Sequence, residues 1–202
     1  MSAGKPIDFY FEFSSPYGYI AAELAEDFEK RIGRPMNWRP MLLGPVFKLT
    51  GQPPLVEIPI KGEYSKKDFS RSARLHKVPF RYPDKFPIGT VAPLRAFYWL
   101  NDRDPVKARA LTKALYRAYF VEGKDISSPA TVTEVAKLVG VDADALAKAL
   151  EDPELKERAK KEVEMAIAAG VFGSPFFVVD GEQFWGVDRM PMLEDWIRTG
   201  GW

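Results

Sequence analysis

Strand-type patterning stands at both ends of this chain, and a long helical run lies between them. At the front, Ile7-Asp8-Phe9-Tyr10-Phe11-Glu12-Phe13 is rich in aromatic residues and alternates toward its end, which predicts a strand. Ser14 or Ser15 then offers a helix N-cap, and Pro16 suits a first helical turn. Tyr19, Ile20, Leu24 and Phe28 recur at helical spacing up to about Arg31, and Gly33 supplies a stop. Met36-Asn37-Trp38-Arg39-Pro40 predicts a second short strand, completing a βαβ unit. Residues 41–64 show no clear period. Gly44, Pro45, Gly51, Pro53, Pro54, Pro59 and Gly62 predict a long ordered loop there, of a length that often carries function. Residues 65–169 predict helix almost throughout, with Pro105, Pro129 and Pro153 near helix starts, each close to an acid, serine or threonine. At the rear, Phe176-Phe177-Val178-Val179 predicts a strand and Asp180-Gly181 a hairpin turn. Gln183-Phe184-Trp185 is the partner strand, and a last helix runs from Asp188 or Met190 to Arg198. The order βαβ, helical block, ββα implies an α/β fold. Its strand-bearing domain is discontinuous, residues 1–64 plus 170–202, and residues 65–169 form an all-helical insertion domain.

Composition narrows the function classes. A 202-residue chain that is 46% hydrophobic and 13% aromatic is not a disordered one. A net charge of +1 without single-sign runs argues against nucleic acid or an anionic membrane as partner. There is no apolar run near the ~20 residues of a membrane span, and Met1 to Pro6 leads into the first strand without a signal-type segment, so the expected compartment is cytoplasmic. Zero cysteines exclude disulfides and cysteine-based metal sites, and no metal is expected.

The junction between the first strand and first helix carries the chemistry. Thiol–disulfide oxidoreductases place Cys-x-x-Cys at such a junction, whereas this chain reads Ser15-Pro16-Tyr17-Gly18. A serine cannot exchange disulfides, but its hydroxyl can hydrogen-bond a thiolate brought by a cofactor, with glutathione the obvious candidate. Alone, Ser15 also reads as a plain N-cap, and Ser14 competes for either role. His76, the only histidine, sits among Arg71, Arg74 and Lys77 and reads as a surface or satisfied residue. No Gly-x-Ser-x-Gly elbow accompanies it. Glu162 and Glu164, on a lysine-bearing helical run, read as a solvated face. Tyr17, Phe172 and Trp185 could line a pocket for an aromatic substrate or join the core.

Four stretches, in order, resemble one family. They are Phe11 to Tyr19 around Ser15-Pro16; Leu43 to Pro54; Ile58-Pro59-Ile60-Lys61-Gly62-Glu63-Tyr64; and Gly173-Ser174-Pro175-Phe176-Phe177 with Phe184-Trp185-Gly186-Val187-Asp188-Arg189. Over essentially the whole chain they resemble 2-hydroxychromene-2-carboxylate isomerases and kappa-class glutathione transferases, the DsbA-like branch of the thioredoxin superfamily. The resemblance implies a thioredoxin-like βαβ…ββα layer with the helical insertion. It implies that Ser15, directly before the proline, is the catalytic hydroxyl on the glutathione sulfur. It implies a cis Ser174–Pro175 bond whose Ser174 backbone meets the peptide-like part of glutathione. Val187 and Asp188 would hold the γ-glutamyl end, and Lys61 the glycine carboxylate. Gln52 stands where relatives tend to have asparagine, so its part in binding is left open. The activity implied is glutathione-dependent isomerisation of 2-hydroxychromene-2-carboxylate to trans-o-hydroxybenzylidenepyruvate, a step of aromatic hydrocarbon catabolism, by a homodimer. A kappa-type transferase that releases the adduct is the alternative, and a non-catalytic binding module on a DsbA-like frame is a second.

Overall fold

The structure is a computed structural model that describes residues 4–202. Residues 1–3 of the expected segment 1–64 lie outside it. Strand β1 (Ile7–Phe11) is central. It pairs in parallel with β2 (Met36–Pro40) and antiparallel with β3 (Phe176–Val179), which pairs antiparallel with β4 (Glu182–Trp185). The sheet order is therefore β2-β1-β3-β4. The parallel pair needs a crossover, and α1 (Pro16–Ile32) provides it. The chain is thus a thioredoxin-like α/β layer into which helices are inserted.

Alternating side chains send the strand aromatics to two faces. On one face the register sets Phe9 between Trp38 and Phe177, with ring centroids 5.2 Å from each. Ile20 and Phe28 of α1 and Leu193 of α9 (Met190–Thr199) join this buried cluster. Tyr10 and Phe176 face the other way, under Val46 of α2 (Leu43–Thr50) and Ala166 of α8 (Pro153–Ala168). Each fully buried phenylalanine contributes roughly 1.5–3 kcal/mol of burial free energy.

Local signals account for several helix ends. Gly33 closes α1 in the left-handed region (φ 66°), its N–H bonded to the Glu29 carbonyl at 2.9 Å. Helices α5 (Pro105–Phe120), α6 (Pro129–Leu138) and α8 all open on proline. Asp104 and Asp152 cap α5 and α8 through their side chains, while Ser128 makes no such bond for α6.

Three stretches differ from the sequence reading. The loop expected over 41–64 contains α2 and a short 3-10 turn, Leu55–Glu57, and α3 (Lys61–Leu75) begins inside it. Gly44 and Pro45 fall in the first turn of α2, where a missing N–H costs no internal bond. The run expected to be helical from 65 is interrupted at 76–90 before α4 (Val91–Asn101). Pro79, Pro83 and Pro87 prevent helix there, and Arg81 N–H to the Phe120 carbonyl (2.6 Å) and Tyr119 hydroxyl to the Lys85 carbonyl (2.8 Å) tie the segment to α5. Helix α7 (Ala143–Glu151) completes the helical block. Glu162 is not on a solvated face. Where α8 packs on the sheet through Ala166, Glu162 turns inward, its side chain only 10% exposed, and takes Arg158 at 3.0 Å and Arg39 at 3.8 Å, while Glu164 points to solvent.

Candidate active site

Helix α1 starts at the C-terminal end of β1, so its N-terminus meets the loop that enters β3. Ser15 is the N-cap, in extended conformation (φ −90°, ψ 115°). Its Oγ accepts from Gly18 N–H at 3.0 Å and donates to the Ser174 carbonyl at 3.0 Å. Pro16 has no N–H, and Tyr19 N–H goes to the Ser15 carbonyl at 2.9 Å. Of the first-turn amides, Tyr17 N–H alone finds no acceptor among the described residues. A half-buried hydroxyl and an open amide at the positive end of a helix form a setting for an anion. Ser14 lies on the other side: it is buried, and its Oγ accepts from Ile88 N–H at 3.2 Å.

The opposite wall is the Ser174–Pro175 peptide, which is cis. Ser174 Oγ accepts from Glu12 N–H at 2.9 Å. Gly18 lets the two walls approach: a Cβ there would lie 2.6 Å from Ser174 Oγ and 2.9 Å from the Tyr116 hydroxyl. Gly186 N–H bonds the Pro175 carbonyl at 3.0 Å, so the turn Val187–Arg189 is fixed beside the cis loop. Gly186 has φ 113°, a region only glycine adopts freely, and the Asp188 carboxylate folds back over it. Asp188 is exposed and pairs with its neighbour Arg189 at 2.9 Å, while Val187 is buried.

Tyr17 links α1 to α3. Its ring meets Phe69 edge-on at 5.0 Å, and its hydroxyl donates to Asp68. Burial and that bond push the Tyr17 hydroxyl far above its usual range. Burial raises the Asp68 carboxyl, but Tyr17 and Arg71 outweigh it and hold the group below its ordinary value. The bond brings α3 alongside the site, and Lys61 is exposed at its first residue. Ile60, just before it, forms a γ-turn (φ 69°, ψ −55°) closed by Lys61 N–H to the Pro59 carbonyl at 2.8 Å. Positive φ at a β-branched residue is strained, and Ile60 is also 90% exposed. Gln52 is exposed between α2 and the 3-10 turn, and its side chain bonds none of the described residues. Phe172 and Trp185 stack edge-on at 4.9 Å beside Gly173, both about half exposed.

Sequence reasoning overlooked Glu12. This acid interrupts an aromatic run, and that interruption was the available signal. Its carboxyl is buried, takes Ser14 N–H at 2.7 Å and the Thr90 hydroxyl, and burial pushes it up to about 7. Gly18 and Tyr116 owe their importance to packing across the site, which spacing along the chain does not display. Among the described residues no cluster of three metal-ligating side chains occurs, and no helix is long and apolar enough to cross a membrane.

The DsbA-like thioredoxin domain matches residues 6–198, and the chain belongs to that family. Proteins similar to it over most of their length include isomerases and kappa-class transferases. The chain is 32% identical over 197 residues to 2-hydroxychromene-2-carboxylate isomerase of Sphingobium xenophagum, covering 96% of this chain and 98% of that one. It is 28% identical to glutathione S-transferase kappa 2 of Caenorhabditis elegans, over 96% and 92% of the two chains. A solved 2-hydroxychromene-2-carboxylate isomerase superposes with a TM-score of 0.84 at 27% identity, over 96% of this chain and 94% of that one.

Proposed function

We propose that this chain is a glutathione-dependent isomerase acting on 2-hydroxychromene-2-carboxylate or a closely similar aromatic acid. The observation that carries the reading is the Ser15 hydroxyl at the α1 N-terminus facing the cis Ser174–Pro175 peptide, in a chain with no sulfur nucleophile of its own. The residues fit glutathione in chemical type. Ser15 Oγ and Tyr17 N–H suit a thiolate, the Ser174 backbone a peptide, Lys61 a carboxylate, and Asp188 with the amides of Val187 and Asp188 an amino-acid end. Lys61 is a cation at the positive end of α3, an arrangement that a bound anion relieves. Gln52 belongs to the rim of the proposed site.

Glutathione, when held here, would supply a thiolate able to add reversibly to an electrophilic carbon, which would permit rotation about a former double bond. The protein's part is to favour charge on that sulfur and to hold it still. For this, Ser15 Oγ–H turns from the Ser174 carbonyl to the ligand while Oγ keeps the Gly18 N–H bond. A charge-assisted hydrogen bond of this kind is worth about 1.5–3 kcal/mol, enough to lower a thiol by roughly one to two pH units. Phe172 and Trp185 offer an aromatic ledge near Ser174 for the substrate ring. The proposal extends to a cytoplasmic homodimer. The cysteine-free chain suits the compartment, and exposed Leu49, Ile60 and Tyr64 near the rim suit a subunit contact.

The experiment is turnover of 2-hydroxychromene-2-carboxylate followed by absorbance with and without glutathione, beside a calorimetric titration of glutathione. Isomerisation that requires glutathione and is lost in Ser15→Ala supports the reading. Conjugation of a chlorodinitrobenzene-type electrophile without isomerisation assigns transferase chemistry instead, and absence of glutathione binding leaves a binding module.

A further inference from the structure

We propose that Glu12 is a positioning residue whose neutral carboxyl permits, and whose charged carboxylate opposes, a thiolate beside Ser15. This rests on the glutathione reading of the site. Glu12 follows the last residue of β1 and is 6% exposed. Every polar group it has is committed to a wall of the site. Its N–H goes to Ser174 Oγ (2.9 Å), and its carbonyl accepts from Ser15 N–H and the Tyr116 hydroxyl (2.9 Å each). Its carboxyl accepts from Ser14 N–H and meets the Thr90 hydroxyl. One residue therefore joins the α1 cap, the cis loop, α5 and the segment entering α4.

A neutral side chain of the same shape could make those ties, so what the carboxyl adds is charge. No cation among the described residues faces it. The start of α1 presents Ser14 and Ser15, the cis loop Ser174, and residues 88–90 the Ile88 amide and Thr90. Helix α5 presents Tyr116 and Tyr119, whose hydroxyls burial raises above their usual range, so both stay neutral. Burial lifts Glu12 to about 7, against the Thr90 and Ser14 bonds that lower it. It therefore changes charge in the range where a stabilised thiol does so. Two anions around one helix start, shielded from water, hinder each other's formation. Glutathione thiolate thus holds the proton on Glu12, and an ionised Glu12 returns the proton to the thiol. No bond other than these O–H and S–H bonds is made or broken.

The test records thiolate ultraviolet absorbance of the glutathione complex against pH for the wild type and Glu12→Gln. The expected wild-type titration is broad, with its upper midpoint displaced upward by about one pH unit relative to a single narrow step in Glu12→Gln. Superimposable curves with glutathione bound in both proteins overturn the proposal and leave the functional reading intact. Failure of the wild type to bind glutathione overturns the functional reading, and the proposal with it. Should Glu12→Gln not fold, infrared titration of the buried carboxyl in the wild type decides. Its midpoint should rise by about one unit with glutathione and not with S-methylglutathione, by reciprocity of the coupling. Equal midpoints with the two ligands overturn the proposal.

Discussion

Ser15 and Lys61 stand at the starts of two helices joined by the Tyr17–Asp68 bond, yet their surroundings are built in opposite ways. Around Ser15, Glu12, Gly18, Tyr116 and Ser174 interlock through buried hydrogen bonds and a contact with no room for one more carbon. Around Lys61, Gln52 and Asp188 the side chains are exposed, and Ile60 is held in a strained turn. The contrast teaches a division of labour: the wall that must not move is fixed before any ligand arrives, while the proposed rim carries exposed charges, Lys61 and an Asp188 tied only to its exposed neighbour Arg189, that a ligand can engage. Substitutions in the wall should therefore cost stability and chemistry, and those in the rim affinity.

The largest expected effect comes from pH acting on the wall. An unfolded Glu12 titrates near its ordinary 4.5 and the folded one at about 7. Between those values the folded chain keeps a proton that the unfolded chain has lost. The contribution of Glu12 is thus fully present below pH 4.5 and lost as pH rises through about 7, by on the order of 3 kcal/mol. Denaturant unfolding of the wild type and Glu12→Gln across pH 4 to 8 should show this decline in the first and not in the second. Gly18→Ala comes next, at about 2 kcal/mol, because its Cβ must displace Ser174 Oγ and the Tyr116 hydroxyl. Thermal unfolding and turnover should both fall, and a Gly18→Ala protein with normal stability would break the contrast. Lys61→Ala should weaken glutathione binding about three- to tenfold by calorimetry, with little change in melting temperature. Ile60→Gly should be the smallest: relief of positive φ raises stability by about 0.5–1 kcal/mol, with glutathione bound slightly more weakly as the rim loosens.

The wall and the rim also differed in how far the sequence disclosed them. Strand aromatics, Pro16, Gly33 and the Asp180-Gly181 turn are local signals, and the sheet follows them. Helix α2 escaped because Gly44 and Pro45 read as loop markers, although both are harmless in a first helical turn. The candidate residues Ser15, Ser174 and Asp188 were legible through motifs, since the first two directly precede a proline and Asp188 lies two positions after Gly186. Glu12, Gly18 and Tyr116 act through contacts between residues about a hundred or more positions apart. Glu162 was misread for the same reason: besides its helical neighbour Arg158 it meets Arg39, on a distant strand.

The central claim is that Ser15 favours charge on a borrowed sulfur, and thiolate absorbance of bound glutathione against pH tests it most directly. The wild-type complex should titrate below the ordinary thiol range near 8.5, and Ser15→Ala should titrate about one to two pH units higher while still binding glutathione. Equal midpoints in the two proteins would contradict the account.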